Sequence, residues 1–485
     1  MVVQKFGGTS VADPSAIRRL IEIVRTARAR DGRGPAVVVS AMSGVTDALL
    51  AMATAAGSDR LADALPIVEQ QRERHLAAAR ELVPPPAQQP LLDQIGDHFN
   101  QLTGVVRALA VLREVSPRTL DVVASAGELL SSRMVAAALT AAGVAAEWVD
   151  ARTAIVTNDD HTRATPLTRE TNEALARTML PVLDAGRIPV VGGFVGATLD
   201  GHTSTLGRGG SDYSGALVGA GVGATEIQIW TDVDGMLSAD PRVVKSARLV
   251  KQLSFAEAAE LAYFGAKVLH PSTILPAVER DIPVRILNSW KPEGTGTLIT
   301  ASGSSGAYER EEYYIQPASE RAAHARVGHT VARAGQTVAA PRLTGLASKR
   351  DVTVIDITSS RMLMAYGFLR RVFEVFERFR TAVDMVTTSE VSVSITVDDR
   401  RRLDEIVEAI SEFAEVSVER DMALLCAVGD VLRDMPELGG KVIGVLEEVP
   451  LRMISQAASR RNITVVLRQS DLPHAMERLH EEFFQ

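Results

Sequence analysis

The sequence contains a single cysteine, so no disulfide can form within the chain. Cys426 lies in the apolar run 423–428, and we predict a buried, inert thiol, because burial disfavours the reactive thiolate. The histidines form no spaced set typical of metal ligands, and we expect His161 and His270 to be structural. The sequence therefore predicts neither a disulfide framework nor a metal centre built by the protein itself.

Positive charge is also scarce, since 52 Lys and Arg stand against 60 Asp and Glu and leave a net charge of −8. An acidic chain is poorly suited to bind nucleic acid or an anionic membrane surface. No apolar run is expected to reach the length of a membrane span, and the first residues show no signal-peptide pattern. We therefore expect a cytoplasmic protein whose partners are neither nucleic acid nor membrane.

Apolar strands alternate with helices at the start of the chain. Residues 2–6 and 36–40 are typical of buried strands, and a helix is predicted at 14–30. Short Gly and Ser turns follow the strands, a pattern that predicts a doubly wound α/β sheet with ligands at the carboxyl ends of its strands. Residues 52–118 are rich in Ala, Leu, Glu and Arg and predict a helical insertion of two segments, divided by the prolines at 84–86 and 90.

The glycine-rich stretch 205–212 is the strongest candidate for a binding site. Its three glycines follow a predicted strand at 188–194 and precede a predicted helix, whose N-terminus suits an anion. Arg208 can grip a carboxylate or phosphate through two hydrogen bonds, and Ser211 and Asp212 occupy predicted N-cap positions. The alternative is an ordinary glycine-rich turn with a capped helix. The glycine spacing matches neither a Walker loop nor a dinucleotide fingerprint.

Three further charged residues lie beside predicted turns. Lys5 ends the first strand next to two glycines, and Lys267 follows another glycine. Lysines placed this way could neutralise a transferring phosphoryl group, although a solvated surface lysine is the alternative for each. Glu128, at a predicted turn into a helix, could accept an ammonium group or could only complement the helix dipole.

Three segments resemble signatures of the aspartate kinases, in the amino-acid kinase family. They are KFGGTSV at 5–11, LGRGGSD at 206–212 and FGAKVLHP at 264–271. The resemblance implies a three-layer α/β/α catalytic domain at 1–300. It also implies transfer of the γ-phosphoryl group of MgATP to the β-carboxylate of L-aspartate, giving 4-phospho-L-aspartate at the entry to lysine, threonine and methionine synthesis.

The resemblance assigns roles to individual residues. As catalytic residues it implies Lys5, Asp212 and Lys267. As aspartate-binding residues it implies Ser40, Thr46, Glu128, Arg208 and Ser211. As ATP-binding residues it implies Lys5, Gly7, Gly8, Thr231, Asp232, Leu237, Arg242, Lys267 and Val268. The family often has Tyr where this chain has Leu237, so a contact there is expected from the backbone.

The C-terminal part of the chain contains a repeat. After a predicted linker at 301–343, two βαββαβ units are predicted at 344–420 and 421–485, and the two can interleave. They resemble the paired ACT domains of amino-acid-regulated enzymes, which implies a lysine-sensitive enzyme and a homodimer or higher oligomer formed through these domains. The implied effector-binding residues are Met362, Ala365, Gly367, Phe368, Leu369, Asp384, Ser389 and Glu390.

Two other functions stay open at this point. The chain could be a kinase for glutamate or a nucleotide, although Glu128, Arg208 and the repeat argue against that. It could also be a catalytically silent amino-acid sensor, although the joint presence of Lys5, Asp212 and Lys267 argues against it.

Overall fold

The computed structural model describes residues 1–32, 34–265, 271–301, 343–359, 366–429, 432, 436–456 and 459–484. The chain divides into two compact units. The first unit comprises Met1–Met236 and Lys267–Thr300, and the second unit comprises Leu237–Ala266 and Ala301–Gln485. This division differs from the domain boundary expected at residue 300, because residues 237–266 group with the C-terminal part of the chain.

The strands, in chain order, are β1 (Val2–Phe6), β2 (Ala36–Val39), β3 (Ala146–Val149), β4 (Val156–Thr157), β5 (Ile188–Gly192), β6 (Val195–Thr198), β7 (Thr203–Thr205), β8 (Glu226–Thr231), β9 (Gln252–Ser254), β10 (Val284–Asn288), β11 (Thr297–Thr300), β12 (Leu343–Thr358), β13 (Val386–Thr388), β14 (Ser392–Val397), β15 (Glu415–Gly429), β16 (Leu451–Gln456) and β17 (Asn462–Arg468). The α-helices are α1 (Pro14–Asp31), α2 (Val45–Gly57), α3 (Leu61–Leu82), α4 (Pro85–Leu112), α5 (Pro117–Ala141), α6 (Ala151–Ala154), α7 (Thr168–Asp184), α8 (Gly210–Val222), α9 (Phe255–Tyr263), α10 (Leu275–Glu279), α11 (Phe368–Arg378), α12 (Leu403–Ser411), α13 (Pro436–Val445) and α14 (Leu472–Phe484).

The first unit is built on an open sheet with the strand order β3-β5-β2-β1-β8-β10-β11. Its strands run parallel except at β11, which is antiparallel to β10. All residues of β1 and β2 are buried, as expected for parallel strands covered on both faces. Phe6 joins the core formed with α1 to α5, whereas Lys5 faces α8 on the opposite side. The predicted α/β class with helices on both faces is confirmed.

The helical insertion differs from the prediction in one respect. The two helices are separated at Val83 and Pro84, but Pro90 lies inside α4 and does not divide it. Pro85 is at the first position of that helix, where the missing amide hydrogen of proline costs nothing. The helix continues through Pro90 because its apolar face, including Leu91 and Ile95, is buried in the core.

Helix α5 is long and apolar enough to cross a membrane by length and composition, which corrects the expectation that no stretch reaches that length. Most of the helix is buried inside the first unit, where Leu130, Met134 and Leu139 belong to the core. Such burial is typical of the central helix of a globular domain. The helix therefore gives only weak evidence for a membrane segment.

The second unit contains a sheet with the strand order β13-β14-β12-β15-β17-β16. Strands β12 and β15 pair along their whole length, from Leu343 opposite Gly429 to Thr358 opposite Glu415. One end of each long strand serves the first repeat, with β13 and β14, and the other end serves the second repeat, with β16 and β17. The two repeats are therefore interleaved in one sheet and are not consecutive beads.

Two apolar cores lie on this sheet, one beneath α11 and α12 and one beneath α13 and α14. Cys426 is fully buried in β15, and burial raises the pKa of its thiol, so the structure agrees with an inert cysteine. Helix α9 also belongs to this unit. It starts with a capping box, in which the side chains of Ser254 and Glu257 each bond the other's backbone amide.

Candidate active site

A cavity of about 330 Å³ lies in the first unit at the carboxyl end of β1. Residues from five separate stretches of sequence line it: Lys5, Ser40, Thr46, Glu128, Phe194, Gly207, Arg208, Gly209, Gly210, Ser211 and Asp212. The structure thus brings together every residue predicted to bind aspartate, together with two of the three predicted catalytic residues. Their roles remain predictions, but their proximity is an observation.

An ion pair joins Lys5 to Asp212 in this cavity, with 2.6 Å between Nζ and Oδ1. The lysine side chain is 9% exposed and the aspartate side chain 17%, so the charges are shielded but reachable. Gly215, one turn into α8, allows this approach, because a Cβ there would lie 3.1 Å from Cβ of Lys5. The glycine at this position of α8 therefore permits close packing of the helix against β1.

The glycine-rich stretch makes the turn into α8. Gly207 and Gly209 have φ values of 73° and 75°, a left-handed conformation that glycine adopts without strain. The sequence predicts Ser211 and Asp212 at N-cap positions, but Gly209 is the N-cap residue. Ser211 and Asp212 lie in the first turn of the helix. The difference matters because the side chain of Asp212 is then available for Lys5 and does not bond the helix backbone.

Glu128 lies in the middle of α5, which corrects the prediction of a turn at this point. Gly127 is helical, and it allows α5 to pass close to Ala41, because a Cβ at Gly127 would lie 2.7 Å from the methyl group of Ala41. A mid-helix position also excludes the alternative that Glu128 merely complements a helix N-terminus.

Glu128 is 4% exposed, and Oε2 of its carboxyl group has no hydrogen-bond partner among the described residues. Burial raises its pKa to about 8, although the backbone of Ala41 and the charge on Lys5 favour ionisation. A buried carboxyl group with an unused oxygen is well suited to receive a cationic group of a ligand.

Two hydroxyl groups complete the cavity wall. Ser40 follows β2, and its backbone is fixed from both sides, because its N–H donates to Phe6 and its carbonyl accepts from the hydroxyl of Ser131. Thr46 lies in the first turn of α2, behind the left-handed N-cap Gly44. Both hydroxyls are therefore carried on backbone that is held in place by the sheet and by α5.

Asp121 is a positioning residue that sequence reasoning missed. Its carboxylate is fully buried and accepts hydrogen bonds from Thr205 Oγ1 at 2.5 Å and from the backbone of Thr162 at 3.0 Å. It also contacts Nδ1 of His161 at 2.6 Å, which supports a structural role for this histidine. Because Thr205 begins the glycine-rich stretch, these bonds fix the stretch before it reaches the cavity. A lone aspartate in a helix gives no sequence signal for this.

The predicted ATP-binding residues divide between the two units. Four of them lie at the carboxyl ends of the neighbouring parallel strands β1 and β8. They are Gly7 and Gly8 after β1, and Thr231 and Asp232 at the end of β8. Leu237 and Arg242 belong to the second unit. The predictions for Lys267 and Val268, and that of a structural His270, lie outside the described residues.

The predicted effector residues that the structure describes belong to the second unit. Gly367 is the left-handed N-cap of α11, which begins with Phe368 and Leu369. Ser389 and Glu390 follow β13, where the hydroxyl of Ser389 is bonded to that of Ser392 at 2.7 Å. The predictions for Met362 and Ala365 lie outside the described residues, as does almost all of the predicted linker.

Asp384 lies in a cluster of charges that the sequence did not predict. Its Oδ1 is 2.7 Å from Nζ of Lys349 and 3.2 Å from the hydroxyl of Tyr263, and Lys349 also pairs with Asp398 at 2.9 Å. Oδ2 of Asp384 is buried and has no hydrogen-bond partner among the described residues. Two carboxylates thus share one ammonium group, and one carboxylate oxygen is left over.

Comparison with known families gives two matches. Residues 1–288 match the amino acid kinase family, and residues 425–483 match the ACT domain. The first match covers more than half of the chain and includes every residue of the cavity described above.

Full-length relatives agree with this. The chain is 34% identical to lysine-sensitive aspartokinase 3 of Escherichia coli, over all of this chain and 99% of the relative. It is 35% identical to the chloroplastic aspartokinase 3 of Arabidopsis thaliana, over all of this chain and 81% of the relative. Crystal structures of E. coli aspartokinase III, one with aspartate and ADP in the R-state and one with lysine and aspartate in the T-state, each align over both full chains with a TM-score of 0.79.

Proposed function

The chain belongs to the amino acid kinase family and, within it, to the aspartokinases, and from this premise we propose how its residues act. The reaction is transfer of the γ-phosphoryl group of MgATP to the β-carboxylate of L-aspartate, the first step towards lysine, threonine and methionine. One observation carries the assignment of the site, namely the convergence of Lys5, Glu128, Arg208 and Asp212 on a single cavity.

Aspartate is held at both ends of its backbone in this proposal. Glu128 accepts the α-ammonium group through its unused oxygen, and Arg208 binds the α-carboxylate. The hydroxyls of Ser40, Thr46 and Ser211 bind the remaining oxygens. The β-carboxylate of aspartate is ionised at neutral pH, so it can attack phosphorus without a general base. Catalysis then consists of alignment and charge neutralisation.

Lys5 supplies the positive charge on the sheet side of the cavity. Asp212 holds the ammonium group in place, so that it points at the transferred phosphoryl group and not at solvent. Lys267 is proposed to contribute a second charge. Gly7 and Gly8 allow the phosphates to approach the backbone, and Thr231, Asp232, Leu237, Arg242 and Val268 are proposed to contact the rest of the nucleotide.

Magnesium is proposed to enter with ATP, because this ion usually binds through substrate phosphates and one or two carboxylates. Among the described residues, no group of three or more His, Cys, Asp and Glu could hold a metal ion alone. Asp212 is a carboxylate at the cavity and fits a secondary role of this kind. When bound, the ion neutralises charge on the phosphates.

An assay for the acyl phosphate tests the proposed function. With MgATP and L-aspartate we expect ADP release together with a product that hydroxylamine traps as a hydroxamate. ADP release with glutamate, or nucleotide phosphorylation, would instead favour another kinase of the family. Absence of turnover with all three acceptors would favour the silent sensor.

We also propose that lysine inhibits the enzyme by binding the first repeat. The cluster of Asp384, Asp398 and Lys349 carries one more negative than positive charge, and the unused oxygen of Asp384 could accept the ammonium group of a lysine effector. The start of α11 after Gly367 suits the effector's carboxylate. Tyr263, at the end of α9, donates a hydrogen bond to the same aspartate, so a movement of Asp384 on lysine binding would also affect α9. Inhibition further requires that lysine prefers one conformation.

A cytoplasmic location and a homodimer or larger oligomer complete the proposal. Strands β13 and β16 lie at the two edges of the sheet in the second unit, and unpaired edges can join sheets of two copies. Light scattering of the purified protein would give the mass of the assembly.

A further inference from the structure

A strained turn joins β5 to β6 beside the cavity of the first unit. The backbone N–H of Val195 donates to the carbonyl of Gly193 at 2.7 Å, which closes a γ-turn around Phe194. Phe194 has a φ of 66°, in the left-handed region that a residue with a bulky side chain rarely adopts. Among the described residues other than glycine that have a positive φ, Phe194 alone has an apolar side chain.

The neighbouring segments hold Phe194 in this conformation. Its N–H donates to the hydroxyl of Ser214 at 2.9 Å, and its carbonyl accepts from the N–H of Leu206 at 2.9 Å. The hydroxyl of Ser214 in turn donates to the carbonyl of Gly210 at 2.9 Å, so it connects the γ-turn to the start of α8. Strained residues persist where the surrounding structure fixes them in this way, and they cluster at functional sites. The strain therefore favours a functional role for Phe194.

The two residues before Phe194 are glycines that permit close packing of the turn. A Cβ at Gly192 would lie 3.0 Å from the carbonyl oxygen of Glu128 in α5, and a Cβ at Gly193 would lie 2.9 Å from Cα of Ser211 in α8. The turn thus lies between the two helices that carry these proposed aspartate-binding residues. Glycine would also be free of strain at position 194, yet the chain has an aromatic side chain there.

The ring of Phe194 is the apolar part of an otherwise polar cavity. Of the described residues that line the cavity, Phe194 alone has an apolar side chain, and the others are glycines or carry a charge or a hydroxyl group. The ring lies against Gly210, because a Cβ there would be 2.8 Å from Cδ2 of Phe194. Phe194 is only partly buried. A ligand in the cavity can therefore contact the ring.

The side chain of aspartate matches this single apolar wall. It contains one apolar group, the β-methylene, between the charged groups at its two ends. Glutamate carries the same charged groups but has a second methylene. A binding site can reject such a competitor by a steric obstacle that does not move aside, and the bonded γ-turn fixes the ring in this way.

We propose that Phe194 is a specificity-determining residue, whose ring packs on the β-methylene of aspartate and leaves no room for the second methylene of glutamate. The inference rests on the proposed function, because it takes aspartate as the ligand of the cavity. It adds to that function the side chain that sets the length of the acceptor.

Removal of the ring should relax the choice of acceptor. In Phe194→Ala, the ratio of kcat/KM for glutamate to kcat/KM for aspartate should rise about tenfold or more, since one methylene supports a discrimination of about 10–200-fold. The inhibition constant of glutamate, relative to the KM for aspartate, should fall by about the same factor, and this readout needs no turnover of glutamate. A purely structural role of Phe194 would lower the active fraction and leave both ratios unchanged.

Phe194→Gly separates the ring from the strained backbone. Glycine adopts a φ of 66° without strain and alanine does not, so Phe194→Gly should have a higher Tm than Phe194→Ala. Both variants should show the same relaxed ratio, because both lack the ring. Phe194→Gly also keeps the test available if Phe194→Ala does not fold.

Leu217→Ala is the control for a loss of stability alone. Leu217 lies in α8 and is buried in a small core with Ile155 and Leu206, and it is not among the described residues that line the cavity. Its truncation should lower Tm through the space that it leaves, while the ratio for the two acceptors should stay within about twofold of the wild-type value.

The inference is overturned by an unchanged ratio in Phe194→Ala and Phe194→Gly, or by an equal rise in Leu217→Ala. If the Phe194 variants lose turnover, calorimetric titration of aspartate and glutamate gives the ratio of their Kd values, which should shift by the same factor. A wild-type protein that neither binds nor phosphorylates aspartate would contradict the proposed function, and the inference with it. An active wild type with unchanged ratios in the variants would contradict the inference alone.

Discussion

Two partly buried lysine–aspartate ion pairs, one in each unit, have nearly the same N–O distance but different surroundings. In the first unit, Nζ of Lys5 is 2.6 Å from Asp212, and in the second unit, Nζ of Lys349 is 2.7 Å from Asp384. Both lysines are largely shielded from solvent. The distance between the charged atoms therefore gives no indication of which pair serves catalysis.

The surroundings distinguish the two pairs. Lys5 and Asp212 line a cavity whose wall is partly glycine backbone, so that a ligand can reach both charges. Lys349 is instead bound by a second carboxylate at 2.9 Å and lies over the ring of Tyr263 at 5.3 Å. A lysine shared by two carboxylates and an aromatic ring is locked in place. The access of a ligand to the charged groups, and charge that the pair leaves uncompensated, therefore indicate function better than the ion pair itself.

The largest expected effect follows from removing the charge of Lys5. Lys5→Met should lower kcat by about 10²–10³-fold, because it removes a preorganised charge at the transferring phosphoryl group. The matched variant Lys349→Met removes the same charge from the other pair and should keep kcat within about twofold, since that lysine touches no substrate in the proposal. Steady-state kinetics on both proteins, with circular dichroism to show that they fold, checks the prediction. Similar kcat values in the two variants would contradict it.

The next effect concerns recognition of aspartate. Glu128→Gln keeps the shape of the side chain but removes its charge, and the KM for aspartate should rise by about 10–100-fold, the range for a lost bond to a charged group. The KM for ATP should change little. Glu257→Gln is a matched control, because Glu257 is also a buried glutamate, 3% exposed, but serves the capping box of α9. A rise in the KM for ATP in place of aspartate would mean that the two subsites are assigned the wrong way round.

The same carboxyl group predicts a pH dependence. Only ionised Glu128 can bind an ammonium group, and its pKa is about 8 in the substrate-free protein. Below this pH the ionised fraction grows roughly tenfold per pH unit, so kcat/KM for aspartate should rise with pH and level off near pH 8. In Glu128→Gln this ascent should disappear. A flat profile in the wild type would show that Glu128 does not control aspartate binding.

The raised pKa also affects stability. A carboxyl group whose pKa rises on folding stabilises the protein below its unfolded pKa of 4.5, and this stabilisation is lost as the pH rises through the folded value of about 8. The substrate-free wild type should therefore lose Tm relative to Glu128→Gln between pH 5 and 8. Thermal melts of both proteins across this range measure the difference directly.

The smallest expected effect concerns Asp384 and lysine inhibition in the second unit. Asp384→Asn should raise the lysine concentration for half-inhibition by about tenfold, because a charged partner of the effector becomes neutral. Basal activity should remain unchanged. Asp398→Asn is the matched control, since this carboxylate also binds Lys349 but is more exposed, and lysine inhibition should stay close to the wild-type value. Equal loss of inhibition in both variants would assign the effect to the placement of Lys349 and not to effector binding.

Local signals in the sequence were enough for much of the fold. The strands β1, β2 and β5 are predicted to within a residue or two, because they are continuous apolar runs followed by glycine or polar turns. What the sequence predicts well is decided within a few residues of chain.

The errors have a common physical cause. Gly127 looked like a turn residue but is a helical residue that permits close contact with Ala41, and Ser211 and Asp212 looked like caps although Gly209 performs that role. At Gly127 a contact with a distant segment decides the conformation. Asp121 gives no sequence signal, because its partners are 40 to 84 residues away along the chain.

The most direct test of the central claim is calorimetric titration of L-aspartate into the wild-type protein at pH 7, in two buffers of different ionisation enthalpy. Aspartate is proposed to occupy the cavity with its ammonium group on Glu128. Because this carboxyl group has a pKa of about 8 when no substrate is present, binding should release close to one proton per aspartate, and Glu128→Gln should release none. Wild-type binding without proton release, or unchanged aspartate affinity in Glu128→Gln, would contradict the account.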